Sequence, residues 1–234
     1  MLFAYQAPSD NTLLSALPID EISRMFRGLD VMQVNLGDVL YEPGDPIRNL
    51  YFPNDCLVAL LAVTRENMTL EVGLVGRDGV VGNSAAPNNG ISQVRAIVQR
   101  SGTATRLSVA HMKEGLPHYV SLQRALNKNT QLLLLQAIQT AVCSRFHLLE
   151  ARLARALLLT RDRLMSDQFH LTHEFLAQAL GARRAGVTKA ACTLQHQGHI
   201  RYSRGDITIV NGIGLEAASC TCYQVVNDII GHSQ

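Results

Sequence analysis

Between residues 30 and 109 the chain breaks into short apolar runs separated by turn-forming residues. The runs read VMQVNLGD, VLYEPGD, NLYFPND, CLVALLAVT, MTLEVGLVGRDG, SQVRAIVQ and GTATRLSV. Each is rich in Val, Ile, Leu or Thr, and Gly, Pro, Asn and Asp punctuate them. Such residues fit extended strands joined by tight turns, so the region predicts an antiparallel barrel, roll or sandwich.

The period changes at Pro117. From PHYVSLQRALNKNTQLLLLQAIQTAVCSRFH onward there is no glycine and no internal proline, and Tyr119, Leu122, Leu126, Leu133, Ala137, Thr140 and Ser144 recur at helical spacing. Proline suits the first turn of a helix, where its missing N–H would have no partner. A helix about 40 Å long at 1.5 Å per residue is predicted. Leu132, Leu135, Ile138, Val142 and Phe146 supply a second apolar face. One face can cover the strands and the other a second copy, as in a dimer spine, although a helix buried within one large domain would show the same pattern.

After the long helix, LLEARLARALLLTRDRL (148–164) is amphipathic and MSDQFHLT interrupts it. Thr172 is placed as an N-cap, with Glu174 in the first turn and Phe175, Leu176, Ala179 and Leu180 facing inward. Gly181 stops that helix as a left-handed residue. Val187, Ala190, Ala191 and Leu194 then form the core face of a second helix ending before Gly198. Two short helices across such a turn make a helix-turn-helix, whose second helix can enter a DNA major groove. HIRYSRGDITIV follows as a hairpin turning at Arg204-Gly205-Asp206, which makes the unit a winged helix. The predicted class is therefore α+β, with an antiparallel strand domain (barrel, roll or sandwich) over 1–116, a long candidate dimerisation helix over 117–147 and a candidate winged-helix DNA-binding domain over 148–234.

Charge sharpens this picture. Residues 1–144 carry 11 Lys/Arg and 12 Asp/Glu, residues 145–234 carry 10 and 7, so a net −1 gives way to +3. Within 183–204 stand Arg183, Arg184, Lys189, Arg201 and Arg204 and no acid. A patch of that kind attracts polyanions, although a solvated charged face would have the same composition. With Thr172, His173 and Thr188 these residues form the predicted DNA-binding set. Gly186, inside the second helix, costs about 1 kcal/mol relative to alanine, and a close approach of backbone to DNA is the reason the sequence suggests.

Five cysteines, Cys56, Cys143, Cys192, Cys220 and Cys222, are scattered and odd in number, which predicts reduced thiols. Cys220-Thr-Cys222 reads as two small residues of a terminal helix, and no metal or cofactor is expected. No apolar run reaches the roughly 18 residues that span a bilayer, and MLFAYQAPSDN lacks the pattern of a secretion signal, so a cytoplasmic protein is expected.

Residues 13–211 resemble the bacterial regulators that include the cyclic-AMP receptor protein and the fumarate and nitrate reduction regulator. YEPGDPIRNLYF, GRDGVVGN and LTHEFLAQALGARRAGVTKAACTLQHQGHI carry the resemblance. It implies a β-roll sensor, a homodimer, double-stranded DNA with near-palindromic half-sites about 34 Å apart, and RNA polymerase as a partner. On the same ground Arg184 matches a guanine-reading arginine, Lys189 a second basic reader, and Thr172 and His173 positions near phosphate. Ala185 stands where many members have glutamate, which implies a different half-site. In the sensor loop VVGNSAAPNNGISQV, Asn83 replaces the ribose-holding glutamate and no Lys or Arg is present to meet a phosphate. Cyclic AMP is thus not an expected ligand, and an unknown small-molecule effector stays open. The N-terminal cysteines of the iron-sulfur branch are also missing, because the first cysteine is Cys56.

Two other classes compete. A cupin-like metalloenzyme would need histidines on its strands, yet the first histidine is His111, and no enzymatic role is expected. His147, His170, His173, His196 and His199 are expected in surface or capping roles. A winged helix contacting protein or RNA is the other alternative, and steep salt dependence with sequence preference separates duplex DNA binding from it.

Overall fold

A computed structural model of the chain describes residues 10–25, 29–83, 90–115 and 118–231. Two short helices, α1 (Thr12–Ser15) and α2 (Ile19–Met25), lead into the strands. These are β1 (Leu29–Val34), β2 (Val39–Tyr41), β3 (Asn49–Pro53), β4 (Leu57–Val63), β5 (Thr69–Val75), β6 (Arg95–Arg100) and β7 (Gly102–Ser108). All seven predicted apolar runs contain one strand. They form a three-stranded sheet in the order β1-β7-β3 and a four-stranded sheet in the order β2-β6-β4-β5. Because β6 and β7 belong to different sheets and only Ser101 lies between them, the chain rolls from one layer to the other there.

Helix α3 (Val109–Gly115) is followed by the long α4 (Val120–Phe146), α5 (Leu149–Leu164) and β8 (Gln168–His170). Next come α6 (His173–Leu180), α7 (Arg184–His196), β9 (Ile200–Ser203), β10 (Asp206–Ile209), α8 (Gly212–Ala218) and α9 (Cys222–Gly231). Pro117, proposed from sequence as the first helical turn, lies outside the described residues.

The chain separates into two compact units, one of residues 1–58 and 75–130 and one of 59–74 and 131–234. In the first, β7 pairs antiparallel with both neighbours, running Leu29↔Leu107 to Val34↔Gly102 on one side and Asn49↔Ser108 to Pro53↔Ala104 on the other. Leu50, Phe52, Leu107, Met112 and Leu122 are fully buried in this unit. Buried Asn11 ties α1 to the loops: its amide donates to the Pro53 and Gly79 carbonyls at 2.8 and 3.0 Å, and its Oδ1 caps Leu14 N. The Glu21 carboxylate accepts from the backbone N–H groups of Ser121 and Leu122 at 3.0 and 3.1 Å, closing the N-terminus of α4. Burial alone would raise the Glu21 pKa, but those donors and the Arg24 charge hold it below its ordinary value.

The second unit is built around one apolar cluster. Leu153, Leu157 and Leu158 of α5 meet Leu176 and Leu180 of α6, Val187 and Leu194 of α7, and Ile200 and Ile207 of the hairpin. The spacing of the α5 leucines, two at i and i+4, puts an apolar stripe on one side of that helix, as the sequence pattern predicts. Strand β8, which the sequence pattern did not disclose, joins the hairpin in a three-stranded sheet of order β8-β10-β9.

Candidate nucleic-acid interface

Helices α6 and α7 have the local chemistry that a tight helix-turn-helix requires. Thr172 is the N-cap of α6, and its hydroxyl accepts from Phe175 N at 3.2 Å. Gly181 ends the helix at φ 57°, ψ 41°, the left-handed conformation in which glycine is least strained. Arg152 of α5 donates to the carbonyl of Leu180, satisfying a group that the helix end leaves without a partner. The chain restarts at Arg183, the N-cap residue of α7.

Val187, Ala190, Ala191 and Leu194 of α7 are buried as the pattern predicts, while Arg184, Ala185, Thr188, Lys189 and Cys192 are exposed. The positive end of the helix dipole and two arginines thus coincide on a free surface, which favours an anion there. Exposed Cys192 extends this face by one turn beyond the residues singled out from sequence.

The hairpin turns over two residues. Arg204 and Gly205 have φ of 53° and 97°, and Asp206 pairs with Ser203 inside the ladder instead of lying in the turn. Two left-handed residues are what a tight hairpin of this twist demands. A Cβ on Gly205 would collide with the His170 ring, so a side chain is excluded by space as well. The His170 ring is held by Asp206 at 2.8 Å across the β8–β10 pair.

His173 joins the parts. Its ring stacks on Tyr202 of β9, with centroids 4.1 Å apart and planes 10° from parallel. Its Nδ1 is 3.0 Å from the Thr188 hydroxyl, which itself donates to the Arg184 carbonyl at 3.0 Å. With that hydroxyl proton committed, the ring proton belongs on Nδ1. Its Nε2 is buried without a hydrogen-bond partner among the described residues. Burial, aided by the Arg184 charge, keeps the imidazole pKa below its ordinary value.

His173, Thr188 and the Arg184 carbonyl are therefore linked in one assembly, which Tyr202 extends to the hairpin, while Thr172 caps α6 beside it. Arg183, Lys189, Arg201 and Arg204 project as exposed residues around it. Sequence reasoning missed Tyr202 as a functional support, because an aromatic in a strand signals only packing until its partner is known.

Residues 151–218 match the Crp-like helix-turn-helix domain family. Solved structures share the fold over most of the chain. FixK2 from Bradyrhizobium japonicum is 15% identical with a TM-score of 0.71, covering 82% of this chain and 98% of that one. The c-di-GMP-responsive global regulator CLP from Xanthomonas campestris is 17% identical with a TM-score of 0.70, over 82% of this chain and 99% of that one. A Crp/Fnr-family transcriptional regulator from Thermus thermophilus is 25% identical with a TM-score of 0.58, over 81% of this chain and 98% of that one. No curated protein sequence matches. Residues 151–218 thus form a Crp-like helix-turn-helix domain, and the chain as a whole shares its fold with solved Crp/Fnr-family regulators.

Asn83, which stands in place of the ribose-holding glutamate of the family that the chain resembles, has another use. Asn83 donates its amide to the Leu126 carbonyl at 2.5 Å and to the Thr130 hydroxyl at 2.6 Å, both on α4. Residues 84–89 of the sensor loop lie outside the described residues. Gly186 also receives a different explanation from the one its sequence suggests: a Cβ there would meet Leu149 Cδ2 of α5 at 3.0 Å. Helix packing within the domain thus offers a second explanation for the glycine beside an approach to DNA.

Besides Val120 at its start, the long helix α4 exposes large apolar residues at Leu134, Ile138, Val142 and Phe146. Leu132 and Leu135, assigned to that face from sequence, are half-buried instead. The last four, from Leu134 to Phe146, recur every fourth residue and so lie on one stripe. No helix of the described residues is long and apolar enough to cross a membrane.

Proposed function

We propose that the regulator acts as a cytoplasmic homodimer on near-palindromic DNA, with α7 of each copy in successive major grooves, and changes the access of RNA polymerase to promoters. The observation that carries this reading is the exposed N-terminus of α7, where Arg183, Arg184, Thr188 and Lys189 meet the positive end of the helix without an acid in the 183–204 stretch. Arg184 reads guanine through its two-pronged guanidinium, and Lys189 reads a second position. Thr172 and His173 approach phosphate beside α6, and Arg201 and Arg204 approach it from the hairpin. The stripe of Leu134, Ile138, Val142 and Phe146 supports a second copy along α4, since four large apolar side chains in a row gain by leaving water.

The sensor domain takes an effector other than cyclic AMP, or none, and the protein is not an enzyme. The commitment of Asn83 to α4 supports the first statement. The test is selection of a DNA site with the purified protein, followed by Arg184→Ala on that site and on a scrambled duplex. One bidentate arginine–guanine pair is worth about 1–3 kcal/mol of discrimination, so the affinity ratio should fall about tenfold or more. An unchanged ratio removes Arg184 from base reading. Binding that is insensitive to salt would favour a protein-contacting module instead.

A further inference from the structure

Away from the reading surface, three thiols and one imidazole of the second unit converge. Cys143 lies in the last turn of α4, and the N–H of His147 donates to its carbonyl at 3.1 Å, so the two side chains leave the same side of the helix end. Cys220 follows α8 and Cys222 opens α9, with the Tyr223 N–H returning to the Cys220 carbonyl at 3.0 Å. The four ligand atoms lie within 4.8 Å of one another. Cys143 Sγ is 3.4 Å from Cys220 Sγ, and Cys222 Sγ is 3.6 Å from His147 Nδ1. All three thiols are buried.

We propose that Cys143, His147, Cys220 and Cys222 hold a single Zn2+ ion in a closed tetrahedral site. Bonds of about 2.3 Å to sulfur and about 2.0–2.1 Å to nitrogen at tetrahedral angles put ligand atoms roughly 3.5–3.8 Å apart. The two observed separations, 3.4 and 3.6 Å, need only tenths of an ångström of adjustment. An iron-sulfur cluster interposes several iron and sulfide atoms and spreads its ligands wider than one ion does. Three thiolates, a neutral imidazole and Zn2+ leave one negative charge, and a cation stands ready for it. Arg155 lines one cavity with Cys143 and Glu71, is only 8% exposed, and its Nε has no hydrogen-bond partner among the described residues.

Simple packing is the competing account, since the three cysteines also touch Ala151 as small apolar residues. Packing gives no reason for a ring nitrogen set against a thiol. The proposal reverses the expectation, drawn from the Cys-x-Cys spacing, that no metal is bound. The ion would fasten the start of α9 to the point where α4 gives way to α5, and α5 supplies the core of the winged helix. Four protein ligands leave no open position, which fits a structural ion and not a hydrolytic one.

The test starts from full-length protein prepared anaerobically from zinc-supplemented cells. Elemental analysis should find one zinc per chain, with loss to background in Cys143→Ser, Cys220→Ser and Cys222→Ser and retention in Cys56→Ala. Because the serine variants could unfold, metal-free wild type is titrated with Co2+. Tetrahedral ligand-field bands together with thiolate-to-cobalt charge transfer are expected, and Zn2+ should erase both. Arg155→Gln should weaken zinc affinity about 10–100-fold, the usual effect of losing an outer partner of a metal site. Wild type that carries no zinc and gives no tetrahedral cobalt spectrum overturns the proposal. So does stoichiometric iron in place of zinc, or a Cys143–Cys220 disulfide in the anaerobic protein.

Discussion

Replacing Gly186 by alanine separates two explanations of one residue. Gly186 sits in the first turn of α7, with its N–H on the Arg183 carbonyl at 2.9 Å. Alanine in a helix is favoured over glycine by up to about 1 kcal/mol. The new methyl, however, would lie 3.0 Å from Leu149 Cδ2, where carbon atoms normally rest about 3.5–4.0 Å apart. Leu149 is half-buried and can yield toward solvent, but a side chain forced off its rotamer costs about 0.5–1.5 kcal/mol. The two effects nearly cancel, so Gly186→Ala should change stability by less than about 0.5 kcal/mol.

With Leu149→Ala in the background the obstruction is gone, and the same substitution should stabilise by close to the full value of about 1 kcal/mol. The assay is a double-mutant cycle by urea denaturation of all four proteins, with DNA affinity measured in parallel. A coupling of about 0.5–1.5 kcal/mol is expected, with site affinity unchanged in Gly186→Ala. If Gly186→Ala is equally stabilising in both backgrounds and binding collapses, the glycine exists for DNA and the packing argument fails.

Two further outcomes follow from the caps. Thr172→Ala removes the acceptor for Phe175 N and should cost about 1 kcal/mol in the same denaturation assay, whereas Thr172→Ser should recover most of it. Equal losses in both variants would show that the hydroxyl does not cap. Because the folded-state pKa of Glu21 is lowered, its stabilisation is present above the ordinary value of 4.5 and is lost as pH falls through the folded value. Wild type should therefore weaken on acidification below that range while Glu21→Gln, already weaker at neutral pH, shows a flatter profile; parallel profiles in a pH series of melts would contradict the assignment.

The strands and helices were legible because their signals are local. Turn residues bound each apolar run in the roll, and Thr172 and Gly181 mark both ends of α6 by their own backbone preferences. Strand β8 escaped because only Phe169 of its three residues is buried, and its pairing with β10 depends on chain 36 residues downstream at His170 and Asp206. The same limit hid the support of the reading helix. His173 is recognisable from sequence as a polar residue near a helix start, but its partner Thr188 is 15 residues away. The cysteine cluster was still more remote, with Cys143 and Cys220 separated by 77 positions and no ordinary metal-ligand spacing to connect them.

These long-range contacts divide the work of the interface between charge and shape. Arg183, Arg184, Lys189, Arg201 and Arg204 are exposed and can reorient, as the proposed DNA contacts would require. Beneath them the Thr188–His173–Tyr202 chain crosses α7, α6 and β9 without a net charge, because burial and Arg184 disfavour protonation of the imidazole. A cationic ring in that position would be repelled by Arg184 and lose solvation at the same time. A neutral ring that offers one hydrogen bond and one stacking face avoids both costs, and it ties α7 to the hairpin in one relative placement while the exposed cations stay free to move.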